Sequence, residues 1–325
     1  MQVLRRLTRI LPVAMALLAA PPALAQGAWP ERPVRVIVPF PPGGGTEAVG
    51  RLVAQHYQEV FGQPFVVESR SGASGMLGTE MAARAAPDGY TISMTASGPL
   101  SILPQMLQAG YDPVTSFEHV LLPSVTPLLL VLPTSRPPNT LREFLDWARA
   151  QRGRLNYCSI GVASPSHLSA EMFARAFGIE MTHIPHRGSG PALTDTIAGH
   201  CDLLFDSSSS SGPHVRGGRL KALGISTRER HPAWPDLPTI GEQGAPTYMT
   251  QTWSGIVAPA GTPPAIIRRL NEEGRRFAQS QRERERILTQ GGLPVDMSPE
   301  QFRDFLRQEI AAWGEVIRAG NIRAE

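Results

Sequence analysis

The sequence predicts an α/β protein of two βα units, built on two mixed, mainly parallel sheets with a ligand cleft between them. Three observations carry this expectation. Short apolar runs alternate with helical stretches along almost the whole chain. The alternation is interrupted once, by an extended segment from His119 to Leu132 broken by Pro123 and Pro127, after which it starts again. Stretches rich in Gly, Ser and Pro fall at the carboxyl ends of the expected strands in both halves, where open α/β sheets bind ligands.

The chain has 325 residues, too many for one comfortable core and suited to two domains. Residues 1–25 read as an export signal: Arg5, Arg6 and Arg9 form a basic region, Ile10 to Ala20 an apolar one, and Ala23-Leu24-Ala25 a cleavage site used after Ala25. The apolar run is shorter than the roughly 20 residues that a membrane span needs. The signal holds three of the 31 basic residues and none of the 28 acidic ones, which leaves 28 against 28. A near-neutral mature protein gives no reason to expect nucleic acid as a partner.

The first element is Val34 to Val38, an apolar strand stopped by Pro39. Phe40-Pro41-Pro42-Gly43-Gly44-Gly45 follows, and Thr46 is expected to cap a helix from Ala48 to Val60 that ends at Gly62. Free N–H groups at such a helix start, backed by the helix dipole, suit an anionic group. Glu47 suits the first turn yet repels an anion there. Either it points away, or the ligand brings an amino or hydroxyl group, or an Arg neutralises it.

Phe65 to Glu68 is the second strand, Ser71 to Gly75 the second small-residue loop and Met76 to Ala86 the second helix. Tyr90 to Thr95 is a third strand ending at Ala96-Ser97-Gly98. Beyond the extended segment, Thr140 and Glu143 form a capping box for a helix ending near Ala150. Strands Leu155 to Ser159, Met181 to Ile184 and Asp202 to Phe205 each run into a polar loop. These loops hold Ser164 and His167, then His186 to Ser189, then Asp206 with the serines 207–211. Leu220 to Ser226 and Trp253 to Val257 complete the strands, and Thr262-Pro263 and Ser298-Pro299 start C-terminal helices.

Several chemistries are disfavoured. Gly43-x-Gly45-x-x-Ala48 with Glu68 mimics a dinucleotide fingerprint, but the Pro41-Pro42 approach is stiff and an exported protein meets little free cofactor. No Lys follows the glycines, no Gly-x-Ser-x-Gly elbow occurs, and His183 and His186 lack metal spacing with a third ligand. No catalytic residue, metal or cofactor is expected. An exported hydrolase-like or dehydrogenase-like enzyme acting on a small acid is the alternative. The export signal permits a disulfide between Cys158 and Cys201, but both lie in apolar, strand-like runs, which favours two free buried thiols.

A set of motifs carries a family resemblance. They include Trp29-Pro30, Val36 to Thr46, Ala86-Pro-Asp-Gly-Tyr90, Leu155-Asn-Tyr157, Ser166-His167-Leu168, Gly188-Ser189, Asp202 to Asp206, and Trp253 to Pro263. Together they resemble the extracytoplasmic solute receptors of tripartite tricarboxylate transporters, the Bug-type receptors, over the whole mature chain. The resemblance implies a monomeric periplasmic binding protein of the Venus-flytrap kind. Such a receptor captures a small organic carboxylate (a di- or tricarboxylate, an amino acid or an aromatic acid) for a two-component membrane permease.

On that reading Gly27 to Val125 plus Tyr248 to Glu325 form one lobe, and Thr126 to Thr247 the other. The resemblance places ligand contacts at Phe40, Pro42, Gly43, Gly44, Gly45, Thr46 and Glu47, at Gly72, Ala73 and Ser74, and at Ser97. From the second half it adds Ser164, His167, His186, Arg187, Gly188, Ser189 and Asp206. Glu47 stands where Asp is usual, His186-Arg187 where Tyr-Lys is common, and Val162-Ala163 where Asn-Gly is common, so no relative's ligand transfers directly.

Overall fold

A computed structural model describes residues 29–323. The expected signal and its cleavage site lie outside the described residues. Strand β1 (Val34–Val38) is followed by α1 (Gly45–Phe61), β2 (Phe65–Ser69), α2 (Met76–Ala83) and β3 (Thr91–Ala96). Next come β4 (Phe117–Pro133), α3 (Leu141–Gln151), β5 (Leu155–Ser159), α4 (Pro165–Phe177), β6 (Met181–Pro185), α5 (Ser189–Ile197) and β7 (Leu203–Ser207). The chain closes with α6 (Ser208–Arg216), β8 (Leu220–Ile225), β9 (Gln251–Pro259), α7 (Pro264–Gln279), α8 (Gln281–Thr289), β10 (Leu293–Pro294) and α9 (Pro299–Gly320).

The strands form one continuous ladder in the order β2-β1-β3-β9-β4-β7-β5-β6, with β8 and β10 also on β4. The ladder is a single mixed sheet, so it does not confirm the two mixed, mainly parallel sheets that the sequence predicts. The βα units are parallel, β1 with β2 and β3, and β5 with β6 and β7. The long strands β4 and β9 run antiparallel to each other and to β3, β7 and β8. The His119 to Leu132 segment is therefore a strand, and its prolines sit where pairing changes. A register shift falls between Leu121 and Ser124, around Pro123, and Pro127 is the last residue paired with β9 before β7 takes over at Leu128. Proline tolerates such positions because it has no N–H to give to a ladder.

Packing follows from the strand period. In β4, Leu128, Leu130 and Leu132 point to a cluster with Phe144, Phe173, Phe205 and Tyr248, while Leu129 and Val131 point to one with Cys158, Leu204 and Ile225. Both faces are covered, so the run is apolar throughout. Around β1, Val34, Val36 and Val38 pack on Val53, Tyr57, Leu270 and Phe277 of α1 and α7, and Ile37 packs opposite with Trp253, Phe302 and Leu306. Each fully buried side chain of this size contributes roughly 1.5–3 kcal/mol. Among the described residues no helix is long and apolar enough to cross a membrane.

The cysteines overturn the free-thiol expectation. Cys158 and Cys201 form a disulfide with Cα atoms 5.6 Å apart. Cys158 lies on β5 beside Leu204 of β7, and Cys201 lies two residues before β7, so the parallel pairing brings the two sulfurs together.

Local signals account for most helix starts. Thr140 Oγ1 accepts from Glu143 N, and Ser298 and Gln301 form a reciprocal capping box. Two expected caps differ. Helix α1 is capped by Gly44 in an extended conformation, and Thr46 lies within the first turn. Thr262 Oγ1 donates to Pro259 O, leaving α7 to start after Pro263.

Candidate ligand-binding site

The polar loops at the ends of β1, β5 and β7 converge. A Cβ built on Gly45 would lie 2.6 Å from Ser209 Oγ and 3.8 Å from Ser207 Oγ. One built on Gly161 would lie 3.1 Å from Ser74 Oγ and 3.5 Å from the His186 carbonyl. Gly98 approaches Pro165 of α4 in the same way, at 3.9 Å. A side chain at Gly45 would need Ser209 to move, which is the physical use of glycine there.

In the first loop, Gly43 turns the chain with φ +91°. Its N–H donates to Glu47 Oε2 at 2.6 Å, while Arg51 Nε donates to Glu47 Oε1 at 2.9 Å. The Gly43 N–H, opposed by burial and helped by Arg51, holds the Glu47 carboxyl below its ordinary pKa. Glu47 thus folds back as a brace under the loop, and an Arg neutralises it. The α1 N-terminus remains available for an anion, with N–H groups at Gly45 and Thr46 in its first turn. Thr46 Oγ1 accepts from Ser254 Oγ of β9 at 3.1 Å. Phe40 is half-buried against Gly75 and Pro99, whereas Pro42 and Gly43 are exposed.

The second loop has four successive residues at positive φ, Gly72 (151°), Ala73 (47°), Ser74 (53°) and Gly75 (97°). Left-handed Ala and Ser are costly, of order 1–3 kcal/mol each, and persist where the surroundings over-determine them. Ser97, in the third loop, is fully buried and hydrogen-bonds Thr252 Oγ1 at 3.0 Å.

On the facing side, Ser164 is the N-cap of α4. Its hydroxyl donates to Gly161 O at 2.7 Å and accepts from His167 N at 3.2 Å. His167 is buried, which pushes its pKa down to about 4, and its Nδ1 accepts from the Ala163 N–H at 3.1 Å. A ring nitrogen that accepts carries no proton, so the neutral ring holds its proton on Nε2. The ring stacks on His183 with centroids 4.0 Å apart, and the Tyr157 ring lies nearly parallel to both, 4.9 Å from His183 and 6.3 Å from His167.

His186 turns towards the disulfide, with Nε2 3.0 Å from Cys158 Sγ and 3.5 Å from Asp195 Oδ2. Arg187 is exposed and makes no ion pair among the described residues. Gly188 (φ +113°) caps α5, and Ser189 Oγ donates to Asp206 Oδ1 at 2.7 Å. Asp206 is fully buried on β7, and its other oxygen accepts from Ser210 Oγ at 2.8 Å. Burial, opposed by those hydroxyls and the Ser207 N–H, pushes the Asp206 carboxyl up to about 6.

The sequence pattern locates the loops but not their partners. Thr252 and Ser254 of β9 join Ser97 and Thr46, and Ser207 and Ser209 face Gly45. The one signal for the latter was a serine run directly after a buried strand. Ser159 Oγ and His183 Nε2 lie 2.6 Å apart, but Ser159 is fully buried and its hydroxyl also bridges Gly161 N and O. That pair braces a loop and has no access for a substrate carbonyl. The arrangement offers an anion oriented backbone N–H groups, hydroxyls and a neutral imidazole.

The sequence profile described as the tripartite tricarboxylate transporter family receptor matches residues 49–322. BugT of Bordetella pertussis is 34% identical over 308 residues, which cover 94% of this chain and 94% of that protein. Two structures from Rhodopseudomonas palustris are similar throughout. A protein solved with adipate superposes with a TM-score of 0.88 at 34% identity, covering 91% of this chain and 99% of its own. MatC, with bound malate, superposes with a TM-score of 0.82 at 33% identity, covering 89% and 99% respectively. The fold is that of an α/β periplasmic binding protein, and the relatives are non-catalytic receptors. The chain belongs to the tripartite tricarboxylate transporter receptor family, as a solute-binding protein of the Bug type.

Proposed function

We propose that this receptor closes on a small organic carboxylate held between the Gly43–Thr46 and Gly72–Ser74 loops on one side and the Ser164–His167, His186–Ser189 and Asp206 loops on the other. The observation that carries the reading is the close approach of Gly45 to Ser209, which brings strand ends from both halves of the chain to one site. Adipate and malate in the two related structures support a dicarboxylate here. The lobes are residues 27–125 with 248–325, and 126–247. Supporting this division, β4 pairs with β9 and β10 up to Pro127 and with β7 and β8 from Leu128 onward. Closure is a hinge motion of β4 and β9 about that point. The mature receptor is a periplasmic monomer released by cleavage after Ala25, and it hands its ligand to a two-component membrane permease.

Calorimetric titration of the mature protein with a panel of mono-, di- and tricarboxylates tests the reading. Saturable one-to-one binding of at least one acid is expected. A bound ligand at about 100 times its Kd adds ~2.7 kcal/mol of stability, so the melting temperature rises with it. Failure of every acid to bind, or conversion of a bound acid to product, would overturn the proposal.

A further inference from the structure

The Asp206 cluster fixes which way two cleft hydroxyls point their protons. Asp206 is fully buried and no cation pairs with it among the described residues. Its carboxylate oxygens are served by the hydroxyls of Ser189 and Ser210, at 2.7 and 2.8 Å. Ser210 Oγ has two other acceptors, Ser207 O at 3.3 Å and Ser189 Oγ at 3.4 Å, but the shorter bond to a charged acceptor is the stronger. A serine hydroxyl has one proton and two lone pairs. With both protons committed to Asp206, Ser189 and Ser210 offer the cleft lone pairs only. Both residues are half-buried; Ser189 lies 3.4 Å from Ser210, and Ser210 follows Ser209 in the chain and lies 3.3 Å from the Ser207 carbonyl, Ser207 and Ser209 being the serines that face Gly45.

Resting on the carboxylate-receptor reading above, we propose that this wall recognises a hydrogen-bond donor on the ligand. The substrate class is then a small dicarboxylate carrying a hydroxyl or amino group, with its charged end at the α1 N-terminus and its donor at Ser189 and Ser210. A carboxylate placed against the same two oxygens would meet acceptors with an anion behind them. A donor left unmatched in a desolvated site is rejected far more strongly than a missing methylene, and the same asymmetry holds for an unmatched acceptor. An ammonium group gains further from the charge on Asp206, so the amino acids bind more tightly than the hydroxy acids.

The test is calorimetry on the mature protein with matched probes: succinate, malate and aspartate, then glutarate, 2-hydroxyglutarate and glutamate. In each series the hydroxy or amino acid is expected to bind about tenfold or more tightly than the plain diacid, the size of one hydrogen bond in a desolvated site. Ser189→Ala removes one acceptor and shrinks that ratio. Asp206→Asn acts differently, because the Asn amide must donate to one serine and so frees that serine's proton for the cleft. In that variant the plain diacid gains relative to its hydroxy partner. Melting curves establish that both variants are folded. Equal affinity within each series in the wild type would overturn this inference while leaving carboxylate capture intact. A preference that survives unchanged in both variants would remove it from Ser189 and Asp206. If no acid in the panel binds, the receptor reading falls, and this inference with it.

Discussion

The carboxylate of Glu47 reaches back four residues to accept the N–H of Gly43 at 2.6 Å. The bond ties the positive-φ turn at Gly43 to the first turn of α1, so the loop and the helix start hold one another in place. Glu47 is nearly buried, whereas its second partner, Arg51, has a side chain 63% exposed. The two partners therefore differ in weight. Glu47→Ala is expected to lower unfolding free energy by about 1.5–3 kcal/mol, the range for a hydrogen bond to a charged group. Arg51→Ala is expected to cost below about 1 kcal/mol, as for exposed ion pairs. Urea unfolding of both variants measures the difference, and equal costs would mean that the ion pair rather than the loop bond holds Glu47.

The disulfide closes a loop of 43 residues. On the chain-entropy account, a cross-link of that span removes about 4 kcal/mol of freedom from the unfolded chain. Cys158→Ala with Cys201→Ala is expected to lower stability by up to that amount, and a reductant strong enough to open the bond should do the same to the wild type. Thiol titration of the denatured, unreduced protein should find no free thiol. Two free thiols per chain would restore the reading from apolar sequence context.

Ser164 and Ser189 have similar sequence settings but different commitments. Ser164 donates to Gly161 O and caps α4 through His167 N. Ser164→Ala is expected to cost about 1 kcal/mol of stability, the usual weight of an N-cap. Its effect on ligand discrimination should be small compared with that of Ser189→Ala, because both of its hydrogen-bonding roles are internal to the loop. Melting curves and titrations on the two variants separate capping from ligand recognition.

Which features were legible follows from how far apart their causes lie in the chain. The Val34–Val38 strand, the Thr140 and Ser298 caps and the Gly62 stop are specified within a few residues, and each appears where expected. The start of α1 is nearly as local, yet its cap is Gly44, two residues before the expected Thr46. Thr46 is the better N-cap by type, but the Glu47 bond to Gly43 fixes the turn two residues earlier. Beyond that range the sequence pattern is silent. The Cys158–Cys201 pairing depends on β5 and β7 being neighbours in the sheet, and the facing of Gly45 by Ser209 depends on two loops more than 150 residues apart. Glycine and serine runs showed that loops at strand ends were built for close approach. They did not show what each would approach.

Asp206 gives the last prediction, because its environment ties stability to pH. Burial raises its folded-state pKa to about 6, above the ordinary Asp value of 3.8. The native state therefore binds this proton more tightly than the unfolded chain does. The stabilisation from that proton is fully present below pH ~3.8 and is lost as pH rises through about 6. A difference of roughly two pKa units corresponds to about 3 kcal/mol. Asp206→Asn has no such titration, so the melting temperature of the variant minus that of the wild type should rise between about pH 4 and pH 6 and level off above about pH 7. Comparing the two proteins at each pH cancels the other titrating groups and any constant cost of the amide. A difference that stays flat across this range would mean that Asp206 remains charged throughout, its desolvation offset by the Ser189 and Ser210 hydroxyls.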